Sequence, residues 1–157
     1  MNNVWGLVRV VLGWVFLWAF LDKLMGLSFS TPAAKSWLAG GSPTFGFLSS
    51  TKGPFADLFH GLAGQMWVDW LFMLALLGIG VALILGIGMR LATYAGALLL
   101  FMMWMASLPI KTNPFVDDHI VYILVLVGLY GSKSGETFGF GKAWKKSKLV
   151  KQYPILQ

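Results

Sequence analysis

The chain has 157 residues, of which 57% are hydrophobic and 11% charged, with a mean hydropathy of +0.73. Soluble domains carry about 25% charged residues, so the composition excludes an ordinary water-soluble core and indicates an integral membrane protein. The absence of cysteine excludes disulfides, thiolate metal sites and thiol redox chemistry, and two histidines, His60 and His119, are too few for a His-rich metal cluster.

Four apolar stretches follow one another. The first runs from about Val4 to Met25, the second from about Met66 to Gly86, the third from about Arg90 to Leu108 and the fourth from Pro114 to Gly131. At a rise of about 1.5 Å per residue, stretches of this length match the hydrocarbon thickness of a bilayer. Lipid offers the backbone no hydrogen bonds, so each is expected to be a helix. "LFMLALLGIGVALILG" is apolar all round, without the period-two alternation that a barrel strand would need. The expected fold is therefore all-α: a four-helix transmembrane bundle with a long, partly helical extracytoplasmic loop, 26–65, between helices one and two. The membrane domain covers 1–131 and a basic cytoplasmic tail covers 132–157. The first segment reads as an anchor and not a cleaved leader.

Within the loop, "STPAAKSWLAGG" predicts a short helix started by Thr31 and Pro32 and stopped by Gly40, and "GPFADLFHGLAG" predicts another. Asp69 falls in the first turn of the second helix, where a negative charge suits the dipole. Gly78, Gly80, Gly86 and Gly88 lie in a membrane segment with no preceding strand. They read as small residues for helix contact and not as a dinucleotide fingerprint, as do Ala92 and Gly96. Asn113 is expected to cap the fourth helix, with Pro114 at its first position.

The positive charges divide unevenly. Arg9, Arg90 and the six tail lysines (133, 142, 145, 146, 148 and 151) fall on one side; Lys23, Lys35, Lys52 and Lys111 fall on the other. This bias places both termini in the cytoplasm. The basic tail lacks a nucleic-acid-reading module and implies a neighbourhood of anionic lipid instead.

The candidate chemistry lies at the outer helix ends. Asp22 and Lys23 end helix one, with Trp18 a turn earlier on the Asp22 face. Helix three brings Trp104, the next loop brings Lys111 and Asn113, and "NPFVDDHIVY" brings Asp118, His119 and Tyr122. On a helix, Asp118, His119 and Tyr122 share a side, whereas Asp117 points elsewhere. Each of these residues has an ordinary account as an interfacial Trp, a snorkelling Lys or a dipole-favoured Asp. Together they suggest a cavity for a flat, polar-headed, hydrophobic ligand such as a quinone. Lys23 would pair with Asp118, or with the neighbours of Asp22. His119, Asp118 and Asp22 would handle protons, Trp18, Trp104, Tyr122 and Asn113 would hold the ring, and Lys23 and Lys111 would attract an anionic substrate.

"RVVLGWVFLWAFLDKLMGL", "GGSPTFGFL", "WVDWLFMLALLGIGVALILGIGMRLA" and "NPFVDDHIVYILVLVGL" together resemble the DoxX/DoxD family of small four-helix membrane proteins. The resemblance runs to the "FGFGKAWKK" tail. Arg9 with Gly13, Lys23, Arg90 after its glycine turn, and Asp118 with His119 match positions of the family pattern, while Phe20 stands where the family often has glycine. The resemblance implies a membrane subunit of a thiosulfate:quinone oxidoreductase, working with a DoxA-like extracytoplasmic partner. No metal or flavin site is evident in the chain, so electrons would reach membrane quinone through a partner or directly. The alternative is a noncatalytic accessory or assembly subunit, with the outer loop as docking surface and a homo-oligomer as one possible assembly. A small-solute transporter fits less well, because helices two to four carry no mid-span charge and no inverted repeat is evident.

Overall fold

The computed structural model describes residues 2–111 and 113–156. The expected regions 1–131 and 132–157 thus each begin or end on a residue outside the described set. All regular secondary structure among the described residues is helical: α1 (Asn2–Met25), α2 (Phe45–Ser49), α3 (Ala56–Leu62), α4 (Met66–Leu85), α5 (Met89–Ala106), α6 (Asp118–Gly131), α7 (Gly141–Lys146) and α8 (Lys148–Gln152). Three of these, α1, α4 and α5, are long and apolar enough to cross a membrane.

The apolar segments are not uniformly buried. In α1 the inward residues are Gly6, Arg9, Leu12, Gly13 and Phe16; in α4 they are Met73, Leu76, Ile79, Gly80 and Leu83. Both sets recur at three- and four-residue spacing, the period of one helix face. The opposite faces leave large apolar side chains exposed, among them Val4, Leu7 and Val11 on α1 and Leu71 and Leu74 on α4. In water such stripes would be costly; against acyl chains they are ordinary. α1 packs on α4, α4 on α5, and α5 on α6, which also touches α1.

Two glycines set the α1–α4 distance. A Cβ on Gly13 would lie 2.9 Å from the Ile84 amide nitrogen, and one on Gly80 would lie 2.8 Å from that of Leu17. Backbone meets backbone at both points, as small-residue helix contacts allow. Gly78, from the same run, faces open space, and Gly86 and Gly88 adopt positive φ in the α4–α5 turn. Only part of the glycine run therefore serves helix contact.

The last four residues of a helix leave carbonyls without intrahelical donors. At the end of α4 each one is answered. The Ala82 carbonyl accepts from the Gly86 and Ile87 amides, and the Leu85 carbonyl accepts from Phe140 N at 2.8 Å. The carbonyls of Leu83 and Ile84 accept from the guanidinium of Arg9, which is fully buried. Its other terminal nitrogen donates to the carbonyls of Thr137 and Phe138, both at 3.0 Å. Arg9 thus lies at the negative end of the α4 dipole and ties α1, α4 and the segment after α6 together.

The region after residue 131 consequently packs onto the helices. A 3-10 turn, Ser134–Glu136, packs on α1 and α6, and Pro154–Leu156 returns to α5. Lys145 donates to Glu136 at 2.6 Å. That bond, helped by the charges of Lys145, Lys133 and Lys142, holds the Glu136 carboxyl below its ordinary value of 4.5 against an opposing burial effect.

Two sequence expectations differ from the structure. α6 begins at Asp118 and not at Pro114, because Asp117 is the capping residue: its carboxylate accepts from the amides of His119 and Ile120. Asn113 instead accepts from the amides of Phe115 and Val116, at 2.9 and 2.8 Å, and closes a turn ahead of the helix. The "STPAAKSWLAGG" helix is reduced to a 3-10 turn at Ala33–Lys35 followed by further turns, whereas the second loop helix forms as α3.

Replacing Arg9 by Met leaves up to four carbonyls without this donor, at roughly 1–3 kcal/mol for each buried group. Thermal unfolding in detergent is expected to fall by at least about 3 kcal/mol; Lys, with a compact head and three donors, recovers part of it. The Glu136 contribution has the opposite sign from that of a buried base. A depressed carboxylate stabilises fully above its unfolded value and loses that stabilisation as pH falls through the lowered folded value. Proteolysis of the 132–156 segment is therefore expected to accelerate only below about pH 4.5, and Glu136→Gln removes that acid limb.

Candidate functional site

The segment between α1 and α4 folds over the far ends of α4 and α5. Phe59 of α3 and Leu48 of α2 are buried against Ala106 of α5, with Val68 and Met105 packed around them. This second small core holds the segment down as a roof.

Two buried aspartates fasten it. Asp22, near the end of α1, accepts from Phe29 N at 3.1 Å, Ser30 N at 3.0 Å and Ser30 Oγ at 2.6 Å. Asp69, in the first turn of α4, accepts from Ser42 Oγ at 2.8 Å, Thr44 Oγ1 at 2.5 Å and Thr44 N at 3.3 Å. Neither carboxylate has a cationic partner among the described ion pairs. Each is stabilised by amides and hydroxyls, which are roughly twice as strong to a charged acceptor as to a neutral one.

Under the roof lies a cavity of about 600 Å³, within the range of small-molecule sites. Its walls are apolar: Phe72 and Ala75 from α4, Ala95, Leu99 and Met103 from α5, and Phe47 from α2. The lining continues to Leu71, Leu98 and Met102, which are exposed on the outer flank of α4 and α5. The cavity therefore borders the surface that the apolar stripes assign to lipid.

Its polar end is formed by Lys23 and Lys35 with Ser30, Thr31, Ser42 and Thr44, and no acid lines it. The hydroxyl protons of Ser30, Ser42 and Thr44 are committed to the aspartates behind them. Those oxygens present only lone pairs to the cavity, while the two ammonium groups present donors.

The structure does not gather the residues expected to form a shared pocket. Of that set, Lys23 alone lines the cavity, and no described ion pair joins it to Asp118. Asp22 is turned to the roof segment. Trp18 lies on the flank of α1 between Trp14 and Phe29, with ring centroids 5.6 and 5.0 Å away. Trp104 stacks on Phe101 and donates to the Phe115 carbonyl at 3.1 Å. Lys111 is exposed, Asn113 is spent on its turn, and Tyr122 packs against the main core.

The expected division of the two adjacent acids is also reversed. The His119 Nδ1 lies 2.7 Å from Asp117 and 3.7 Å from Asp118, whose side chain is 71% exposed. The cap geometry explains this: Asp117 is outside the helix with extended backbone, which brings its carboxylate back over the first turn. The ligand atoms of Asp117, Asp118 and His119 lie within 4.8 Å of one another; His119 and Asp117 bind each other, and none of the three lines the cavity.

Lys35, Ser42, Thr44 and Asp69 were not among the expected site residues. The signal for Ser42, Thr44 and Asp69 is the "SPT" of 42–44, a hydroxyl pair that a carboxylate at the start of the next helix can hold. No family model, no curated protein and no solved structure matches the chain.

Asp69→Ala is expected to release the Ser42–Thr44 side of the roof, at a cost of roughly 1–3 kcal/mol. Hydrogen exchange and limited proteolysis across 42–62 are expected to quicken, while the same readouts stay unchanged in Asp118→Ala.

Proposed function

We propose that the chain is a multi-pass membrane protein that takes a quinone into the roofed cavity and serves as the quinone-binding subunit of a membrane oxidoreductase. One observation carries this reading: an apolar cavity bordering the exposed apolar flank of α4 and α5, whose polar lining combines Lys23 and Lys35 with the hydroxyl residues Ser30, Ser42 and Thr44. A quinone ring and its isoprenoid tail suit the apolar walls. A quinone carbonyl accepts from Lys23 or Lys35, and a quinol hydroxyl donates to the oxygens of Ser30, Ser42 or Thr44. Reduction takes two electrons and two protons. The ammonium groups of Lys23 and Lys35 are the proton donors of the lining, in place of His119 and Asp118, because the Ser30 and Thr44 hydroxyl protons are held by Asp22 and Asp69. The electrons come from an extracytoplasmic donor such as thiosulfate through a DoxA-like partner, as the resemblance to the DoxX/DoxD family implies.

In this reading α6 is a fourth crossing that completes a four-helix transmembrane bundle. Its 14 residues reach roughly 21 Å, short of a 30 Å core, and the turn at 113–117 extends it. Val121, Leu124 and Val127 give it an exposed apolar stripe like those of the longer helices. Both termini face the cytoplasm, since Arg9, Arg90 and the tail lysines share one end. A second reading, a noncatalytic accessory or assembly subunit, draws on Phe29 and Leu38, which are exposed on the roof segment and would suit a docked partner.

Mass spectrometry of lipid-soluble compounds from the purified protein is expected to find quinone in near-stoichiometric amount. Ala95→Phe, which places a ring in the cavity, is expected to lose it with helicity intact; Lys23→Met is expected to weaken it by about tenfold, the value of one charge-assisted hydrogen bond. Absence of quinone, together with a partner whose stability depends on residues 26–65, would establish the accessory role instead.

A further inference from the structure

The opposite end of the protein holds a second cavity, of about 260 Å³. It lies where α4 ends, α5 begins and α6 ends. Gly86, Gly135 and Gly141 leave it room, Trp144 and Tyr130 flank it, and Lys133 and Lys145 stand at its edge. Backbone crowding keeps those glycines free of side chains: a Cβ on Gly135 would come within 2.6 Å of the Gly86 carbonyl, and one on Gly141 within 2.6 Å of the Gly135 carbonyl.

The surroundings are strongly basic. After residue 131 there are six lysines and one acid, Glu136. Glu136 is held by Lys145 at 2.6 Å, which leaves Lys133 exposed and without an ion pair among the described residues. These lysines are not on a loose tail. Val150 and Ser134 are buried, the Trp144 indole donates to the Leu156 carbonyl, and Arg9 holds the carbonyls of Thr137 and Phe138.

The same foot also exposes Phe138, Phe140, Leu149, Tyr153 and Ile155. Lysines interleaved with exposed aromatic and aliphatic side chains, at the end of apolar helices, match the headgroup layer of an anionic leaflet. A soluble anion would account for the lysines and leave the apolar residues unexplained.

We propose that this foot is a binding site for an anionic phospholipid, with the headgroup phosphate at the edge of the small cavity between Lys133 and Lys145 and the acyl chains along the exposed apolar residues. Glu136 competes with the phosphate for Lys145. The site is separate from the roofed cavity and does not depend on the identity of the ligand there.

The test uses the full chain in detergent, titrated with phosphatidylglycerol, phosphatidylcholine or glycerol phosphate, with binding read by native mass spectrometry. Phosphatidylglycerol is expected to bind more tightly than phosphatidylcholine. Lys133→Gln and Lys145→Gln are each expected to weaken it about fivefold, the value of one lysine near an anionic surface. Glu136→Gln frees Lys145 without removing a cation and is expected to tighten binding, an effect that a merely structural ion pair would not give. Circular dichroism confirms that each variant keeps its helices. Equal affinity for the two phospholipids, an undiminished phosphatidylglycerol preference in the double lysine variant, or weaker binding in Glu136→Gln overturns the proposal. Glycerol phosphate binding as tightly as phosphatidylglycerol also overturns it, by making the site one for a free phosphate.

Discussion

Arg9 is the constraint on which the rest of the arrangement depends. A guanidinium buried among apolar helices is costly unless its donors are met, and here both terminal nitrogens are met by backbone carbonyls from two parts of the chain, leaving only Nε without a partner. Two of those carbonyls belong to the end of α4, which needs donors as much as Arg9 needs acceptors. The other two come from residues 137 and 138, so the segment after α6 must fold back beneath α1 and α4 before the cation is fully solvated. The close approaches at Gly6, Gly86 and Gly139 follow from the same demand, since a side chain at any of them would collide with Arg9 or with the segment that supplies its acceptors.

The two ends of the molecule handle buried charge by one method. Arg9, Asp22 and Asp69 are the buried charged residues among those described, and none of them is paired with an opposite charge. Each is surrounded by dipoles instead: carbonyls for the cation, amides and hydroxyls for the anions. This avoids the double desolvation of a buried ion pair. It also spends the hydroxyl protons of the roof in one direction, which leaves the lysines as the cavity's charged donors. Among the described residues, the Lys145–Glu136 ion pair and the His119–Asp117 hydrogen bond lie at helix ends and not in the core.

The sequence made the long helices legible because apolar length and punctuation are local properties. α4 and α5 begin and end within a few residues of the apolar stretches at about Met66–Gly86 and Arg90–Leu108. The start of α6 was displaced because Asn113 and Asp117 are both good capping residues, and only the path of the chain between them decides which one caps the helix. The site was less legible. Asp22 is expected to handle protons and Asp69 to suit the helix dipole, but neither expectation names their partners, which are hydroxyls and amides in an irregular segment without periodicity. Asp118 and His119 attracted attention through residue type alone, yet their neighbours are each other and Asp117. Adjacency along the chain revealed charge but not direction.

The wall of the roofed cavity at Leu71, Leu98 and Met102 has a consequence for how any occupant is supplied. For an occupant that dissolves among acyl chains, this border is the route of supply. Occupancy then follows the mole fraction of the compound within the leaflet and not its concentration in the surrounding water, so spreading the same protein and ligand through more lipid empties the chamber while the aqueous phase is unchanged.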